Sequence, residues 1–255
     1  MTRPLAPADY PGCPVTVPAA LATGRTLIAP RWGLWDVLWA LLLASFLGLG
    51  VGLLLMVMDA PLWSQVIVGT AVPWVGFAGW PLLVTAWRGN GPRIDLGLRL
   101  TWSDAGWGAL GGVLASVAAA VGAVITQAIF PDVTSAAGDA ADQLLEGSGR
   151  LAIVIFALMI MVGAPIVEEL FFRGLFFAAL RKRGLGAVWT VIITAVVFAG
   201  FHFEPVRLLI LLPSGLVLGW VRAKTGSVGA SMVAHGLINA PGAVLLLVGT
   251  PGMSP

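Results

Sequence analysis

Two stretches, residues 62–87 and 105–130, contain no charged side chain. A helix needs about 20 mostly apolar residues to cross a bilayer, and each stretch exceeds that. Composition extends the point to the whole chain. Hydrophobic residues make up 58%, charged residues 10%, and mean hydropathy is +0.96. Soluble domains run at roughly 45–50% apolar and about 25% charged, and disorder requires low hydrophobicity with high net charge. Further spans are expected at 34–58, 151–180, 184–203, 205–221 and from about 225 onward. That makes seven, or eight if the C-terminal piece turns back at Pro241-Gly242. Long runs without strand alternation exclude a barrel. The expected fold is an all-α, polytopic transmembrane helix bundle. No fixed-period repeat points to an inverted-repeat transporter.

Four regions follow. Residues 1–33, rich in Pro, read as a flexible cytoplasmic tail, and 34–130 as N-terminal transmembrane helices. Residues 131–150, holding Asp132, Asp139, Asp142 and Glu146, read as an acidic extracytoplasmic loop, and 151–255 as the core that carries the chemistry. The first apolar run starts too late for a secretory signal. With the N-terminus inside, eleven Lys and Arg fall on the inner side, against Arg150 and Arg207 outside, while Arg173 lies within a span. That bias sets the orientation. The net charge of +2 and pI near 9.2 therefore reflect topology and contact with anionic headgroups, not a nucleic-acid surface. Cys13 is the single cysteine, which removes disulfides and cysteine-based metal clusters. Trp32, Trp35, Trp63, Trp87 and Trp102 lie near span ends, as interfacial anchors do.

Ionisable residues inside a bilayer are costly and mark functional sites. Glu168, Glu169 and Arg173 interrupt the fourth span; Phe198 and His202 end the fifth; His235 and Asn239 lie on the last. Both histidines of the chain are among them. At about 1.5 Å per residue, Glu168 stands about 20 Å from Arg181, His202 about 24 Å from Gly186 and His235 about 17 Å from Lys224. All three share a common depth to within one helical turn or so. Adjacent helical residues diverge by about 100°, so the two glutamates face differently. Glu169 and Arg173, spaced i,i+4 with the acid first, form the favourable ion pair. Glu168 is left without a partner on its own helix, and apolar surroundings suit it to general-base work. His235 and Asn239 share a face, and Phe198 shares the His202 face.

Three ordered motifs, Glu-Glu-x-x-x-Arg at Glu168, Phe-x-x-x-His at Phe198 and His-x-x-x-Asn at His235, resemble those of the CAAX-protease and bacteriocin-processing family of intramembrane endopeptidases. The resemblance covers about residues 151–248. It implies peptide-bond hydrolysis in a cavity open toward the cytoplasm, although the depth arithmetic puts the site past the midplane. It makes Glu168 and His202 the water-activating pair and His235 and Asn239 the oxyanion binders, with Glu169 and Arg173 a supporting clamp. Its breadth, with the heavy use of Arg over Lys, points to the cell membrane of a bacterial host. Partners are then a peptide or membrane-protein substrate and the lipid bilayer, with no nucleic acid; oligomeric state is left open.

Metal involvement has two readings. Glu168, His202 and His235 could hold a zinc ion with an open position for water, but that uses the base as a ligand, and no His-Glu-x-x-His segment is present. Metal-independent water activation is favoured. Two other functions use the same residues: a non-proteolytic scaffold or self-immunity protein, and a proton-coupled transporter.

Overall fold

The computed structural model describes residues 16–132 and 134–248, so Cys13 lies outside the described residues. These residues are helical, with no strand among them. The elements are α1 (Thr16–Ala22), α2 (Leu34–Val57), α3 (Leu62–Arg88), α4 (Trp102–Ile129), α5 (Ala136–Gly147), α6 (Arg150–Lys182), α7 (Ala187–Phe201), α8 (Pro205–Thr225) and α9 (Val228–Val248). Among the described residues, α2, α3, α4, α6, α8 and α9 are long and apolar enough to cross a membrane. That is six, where the sequence suggested seven or eight. The remaining run is α7, whose 15 residues extend only about 22 Å, short of a hydrocarbon core of about 30 Å. Gly184 (φ 85) shapes the turn before it, and Phe203 (φ 54) takes the left-handed position just after its end. No break occurs at Pro241-Gly242, since α9 runs through both to Val248.

Helix ends follow local chemistry. α4 is capped by a reciprocal box of Thr101 and Asp104: the Asp104 amide donates to Thr101 Oγ1 at 3.2 Å, and Asp104 Oδ2 accepts the Thr101 amide at 2.9 Å. The face of α4 toward α8 and α9 is built from glycine. A Cβ on Gly108 would meet the Ala230 carbonyl oxygen at 2.6 Å, on Gly111 the Val221 Cγ2 at 2.3 Å, and on Gly112 the Leu237 Cβ at 2.8 Å. Small residues allow such close approach in membranes, where packing rather than water exclusion joins helices. α4 is thereby seated flush on the helix that carries His235 and Asn239.

Two segments are more structured than the sequence suggested. Residues 131–150, expected as a loop, contain α5, capped where Ser135 Oγ accepts the Gly138 amide at 3.0 Å. Leu144 of α5 is fully buried against Ile153 and Phe156 of α6 and Leu246 of α9. From Thr16 onward the expected flexible tail is packed. Val17 and Leu27 bury against Ile94, and the irregular stretch after α1 is held by side chains bonding to its backbone. Asn90 brackets Ile28, accepting its amide and donating to its carbonyl, both at 2.9 Å. Lys182 donates to the Pro30 and Trp32 carbonyls, and Trp32 Nε1 donates to Asp95 Oδ2 at 2.6 Å. Asp36 and Arg88 pair beside this clamp.

Candidate active site

The diglutamate sits where α6 is not a regular helix. Met159–Gly163 and Leu170–Phe176 are π-helical, flanking the short α-helical stretch Ala164–Glu169. Such bulges concentrate at functional sites. The first one positions Asn239. Ala164 donates its amide to Met159 O in the i+5 pattern, so the next donor in register would be Pro165, which has no N–H. Ile160 O is left without that backbone partner, and Asn239 Nδ2 supplies one at 3.0 Å. One amide hydrogen of Asn239 is thus committed to structure and the other is available.

Glu168, Phe198, His202, His235 and Asn239 all line one cavity of about 380 Å³. Ala136, Ala137 and Ala140 of α5 form part of its wall. These five residues singled out from sequence therefore converge, as their common depth allowed. Glu168 is 26% exposed toward this space; its Oε2 has no hydrogen-bond partner among the described residues and lies 4.0 Å from His235 Nε2. Glu169 and Arg173 are both fully buried and joined at 2.9 Å. Arg173 also donates to the Gly215 carbonyl at 3.0 Å, and its guanidinium carbon lies 4.5 Å from the centre of the Phe198 ring.

Phe198 does more than wall the cavity. Its ring centre lies 4.8 Å from that of His202 and 5.7 Å from that of His235, each met edge-on. Its carbonyl oxygen lies 2.7 Å from His202 Nδ1. A carbonyl can only accept, so Nδ1 carries the hydrogen and the lone pair of the neutral ring is on Nε2.

One contact was not foreseen from the sequence. Glu169 Oε1 receives His235 Nδ1 at 3.0 Å as well as the Arg173 guanidinium. The i,i+4 rule finds partners on one helix, and this contact joins residues 66 positions apart. As for metal, Glu168, His202 and His235 face one cavity, yet no three His, Cys, Asp or Glu side chains among the described residues stand in a metal-holding group. His235 Nδ1 and His202 Nδ1 are engaged by Glu169 and the Phe198 carbonyl.

No curated protein and no solved structure matches the chain. Residues 150–241 match the family model for the type II CAAX prenyl endopeptidase Rce1-like proteins, a protease family. The match runs from the start of α6 into α9 and contains all three motifs, so this helical segment is consistent with the CAAX-protease family that those motifs resemble.

Proposed function

We propose that the protein is an intramembrane endopeptidase in which Glu168 and His202 activate water and His235 and Asn239 receive the developing oxyanion. The observation that carries this reading is Glu168 Oε2, an unpartnered acceptor on a cavity that also holds both histidines. A buried acceptor without a donor is uncommon in a folded protein, and a water molecule about to be deprotonated is the partner that this one suits. Glu168 takes one water proton while His202 Nε2 accepts a hydrogen bond from the same water and aims it. The hydroxyl oxygen attacks the peptide carbonyl carbon. The free amide hydrogen of Asn239 points the oxyanion toward His235, and the low polarity of the surroundings strengthens both contacts.

No step in this sequence needs a metal. Were zinc bound, Glu168, His202 and His235 would be its ligands, and it would supply Lewis-acid activation of water. On our reading the N-terminus is cytoplasmic, and the substrate is a peptide or membrane protein that reaches the cavity within the bilayer.

Comparative peptidomics of membranes carrying the parent protein or Glu168→Gln tests the proposal. Peptides released only by the parent are expected. Identical peptide sets, from variants expressed at equal level, would favour the non-proteolytic scaffold. Substrate flux into sealed vesicles that disappears in Glu168→Gln would favour transport.

A further inference from the structure

We propose that Glu169 is a positioning residue for His235, turning His235 into the proton relay of the reaction; this rests on the protease reading above. His235 stands between two carboxylates. Its Nδ1 is 3.0 Å from Glu169 Oε1 and its Nε2 is 4.0 Å from Glu168 Oε2. Glu169 is the better placed acceptor: it is fully buried and its Oε1 is fixed from the other side by Arg173. The Nδ1 hydrogen therefore goes to Glu169, and the lone pair of the neutral ring sits on Nε2, facing the cavity.

The separation of 4.0 Å is too long for a direct bond between Nε2 and Glu168. It is the spacing of two atoms that share one oxygen at about 2.8 Å from each. A water held there would give one hydrogen to Glu168 Oε2 and share the other between the lone pairs of His235 Nε2 and His202 Nε2. When one O–H bond breaks and the oxygen bonds to the peptide carbon, that proton passes to Glu168 Oε2; the new hydroxyl, still between the two groups, then gives its own hydrogen to His235 Nε2 and takes the first one back from Glu168. The ring is then a cation whose charge Glu169 balances, and its new Nε2–H meets the oxyanion. As the carbon–nitrogen bond breaks, the same proton goes to the departing amide nitrogen. Glu168 returns as a carboxylate and His235 as a neutral ring.

His202 cannot take that part equally well. Its Nδ1 partner is the Phe198 carbonyl, a neutral dipole that fixes the tautomer but supplies no counter-charge. The two histidines thus have the same free nitrogen and different supports, and the carboxylate-backed ring is the one suited to hold a proton during turnover.

Because the chain has only two histidines, ¹⁵N-histidine NMR of the detergent-solubilised protein reads both rings, assigned with His202→Gln. His235 is expected as the Nδ1–H form at rest; an Nε2–H form in the parent protein would overturn the proposal. Two double variants add a kinetic arm. Glu169→Gln with Arg173→Met keeps an oxygen for Nδ1 and strands no charge, whereas Glu169→Leu with Arg173→Met removes the acceptor. The Leu pair should show mixed tautomers and a kcat about 10²–10⁴-fold below the Gln pair, with KM unchanged, on a peptide released by the parent. Equal kcat and equal tautomers in the two pairs would mean that Glu169 only balances Arg173. Should the parent release no peptide, the protease reading falls, and the NMR arm still decides whether Glu169 orients the ring.

Discussion

Two polar clusters are built into this apolar chain, at different heights along α6, and they are organised oppositely. Around Lys182, the clamp made by Asn90, Asp95 and Lys182 directs most of its hydrogen bonds at backbone groups of residues 28–32 and at the Trp32 indole, with Asn90 also donating to Asp95. Around Glu169, side chains bond chiefly to one another, and Glu168 Oε2 and Glu169 Oε2 are left with no partner among the described residues. Burying a polar group without a partner is costly. A cluster that satisfies its acceptors holds structure together, and one that leaves an acceptor facing a cavity is poised for a ligand. The difference separates support from chemistry better than charge content does, because both clusters carry acids and bases.

The comparison breaks most visibly if the unpartnered acid proves structural. Glu168→Gln keeps shape and removes the base, so cleavage should fall about 10²–10⁴-fold with the melting temperature in detergent unchanged. A matching loss of stability would place Glu168 with the clamp residues. Next in size is Glu169→Gln, which strands the fully buried Arg173. Breaking a buried pair from one side commonly costs about 3–5 kcal/mol, so melting temperature and yield should drop. Adding Arg173→Met should recover part of the loss, and absence of recovery would refute the pairing argument.

A smaller effect concerns the clamp. Burial lifts Asp95 from 3.8 to about 7, against the opposing pull of the Asn90 amide and the Lys182 charge. Between those values the folded protein retains a proton that the unfolded chain has released. Asp95 therefore contributes stability that is complete below about pH 4 and declines as pH rises toward 7. The melting temperature of the parent should fall from pH 5 to pH 8 more steeply than that of Asp95→Asn. Parallel slopes would show that Asp95 is not the titrating group. The smallest effect is an expected absence: cleavage should survive thorough chelation, and loss restored by zinc would reverse the choice between water activation by side chains and by metal.

Much of the core was legible in the sequence because hydropathy, helical spacing and the scarcity of ionisable residues act locally. The length of six spans, the Glu169–Arg173 pair and the common depth of Glu168, His202 and His235 follow from counting along one helix at a time. What escaped that counting depends on partners distant in sequence. Asn239 is drawn to Ile160 O by a π-helical register that meets Pro165, and nothing at position 239 announces it. Asp95 looks like an ordinary loop acid until Trp32 is folded over it. The helix at Ala136–Gly147 hides in a segment whose acidic side chains suggest a loop, while Leu144 anchors it.

The glycine face of α4 carries a consequence for how this sequence tolerates change. Gly108, Gly111 and Gly112 contribute no chemistry, yet each stands where an added methyl group would collide with α8 or α9. Replacing them by alanine or valine would only raise hydropathy and leave charge and predicted topology untouched, while pushing α9 away and carrying His235 and Asn239 with it. The permitted alphabet along this stripe is therefore narrowed by bulk and hardly at all by polarity. A substitution map of the protein should show a helix face with no catalytic side chain of its own that is as intolerant as the cavity itself.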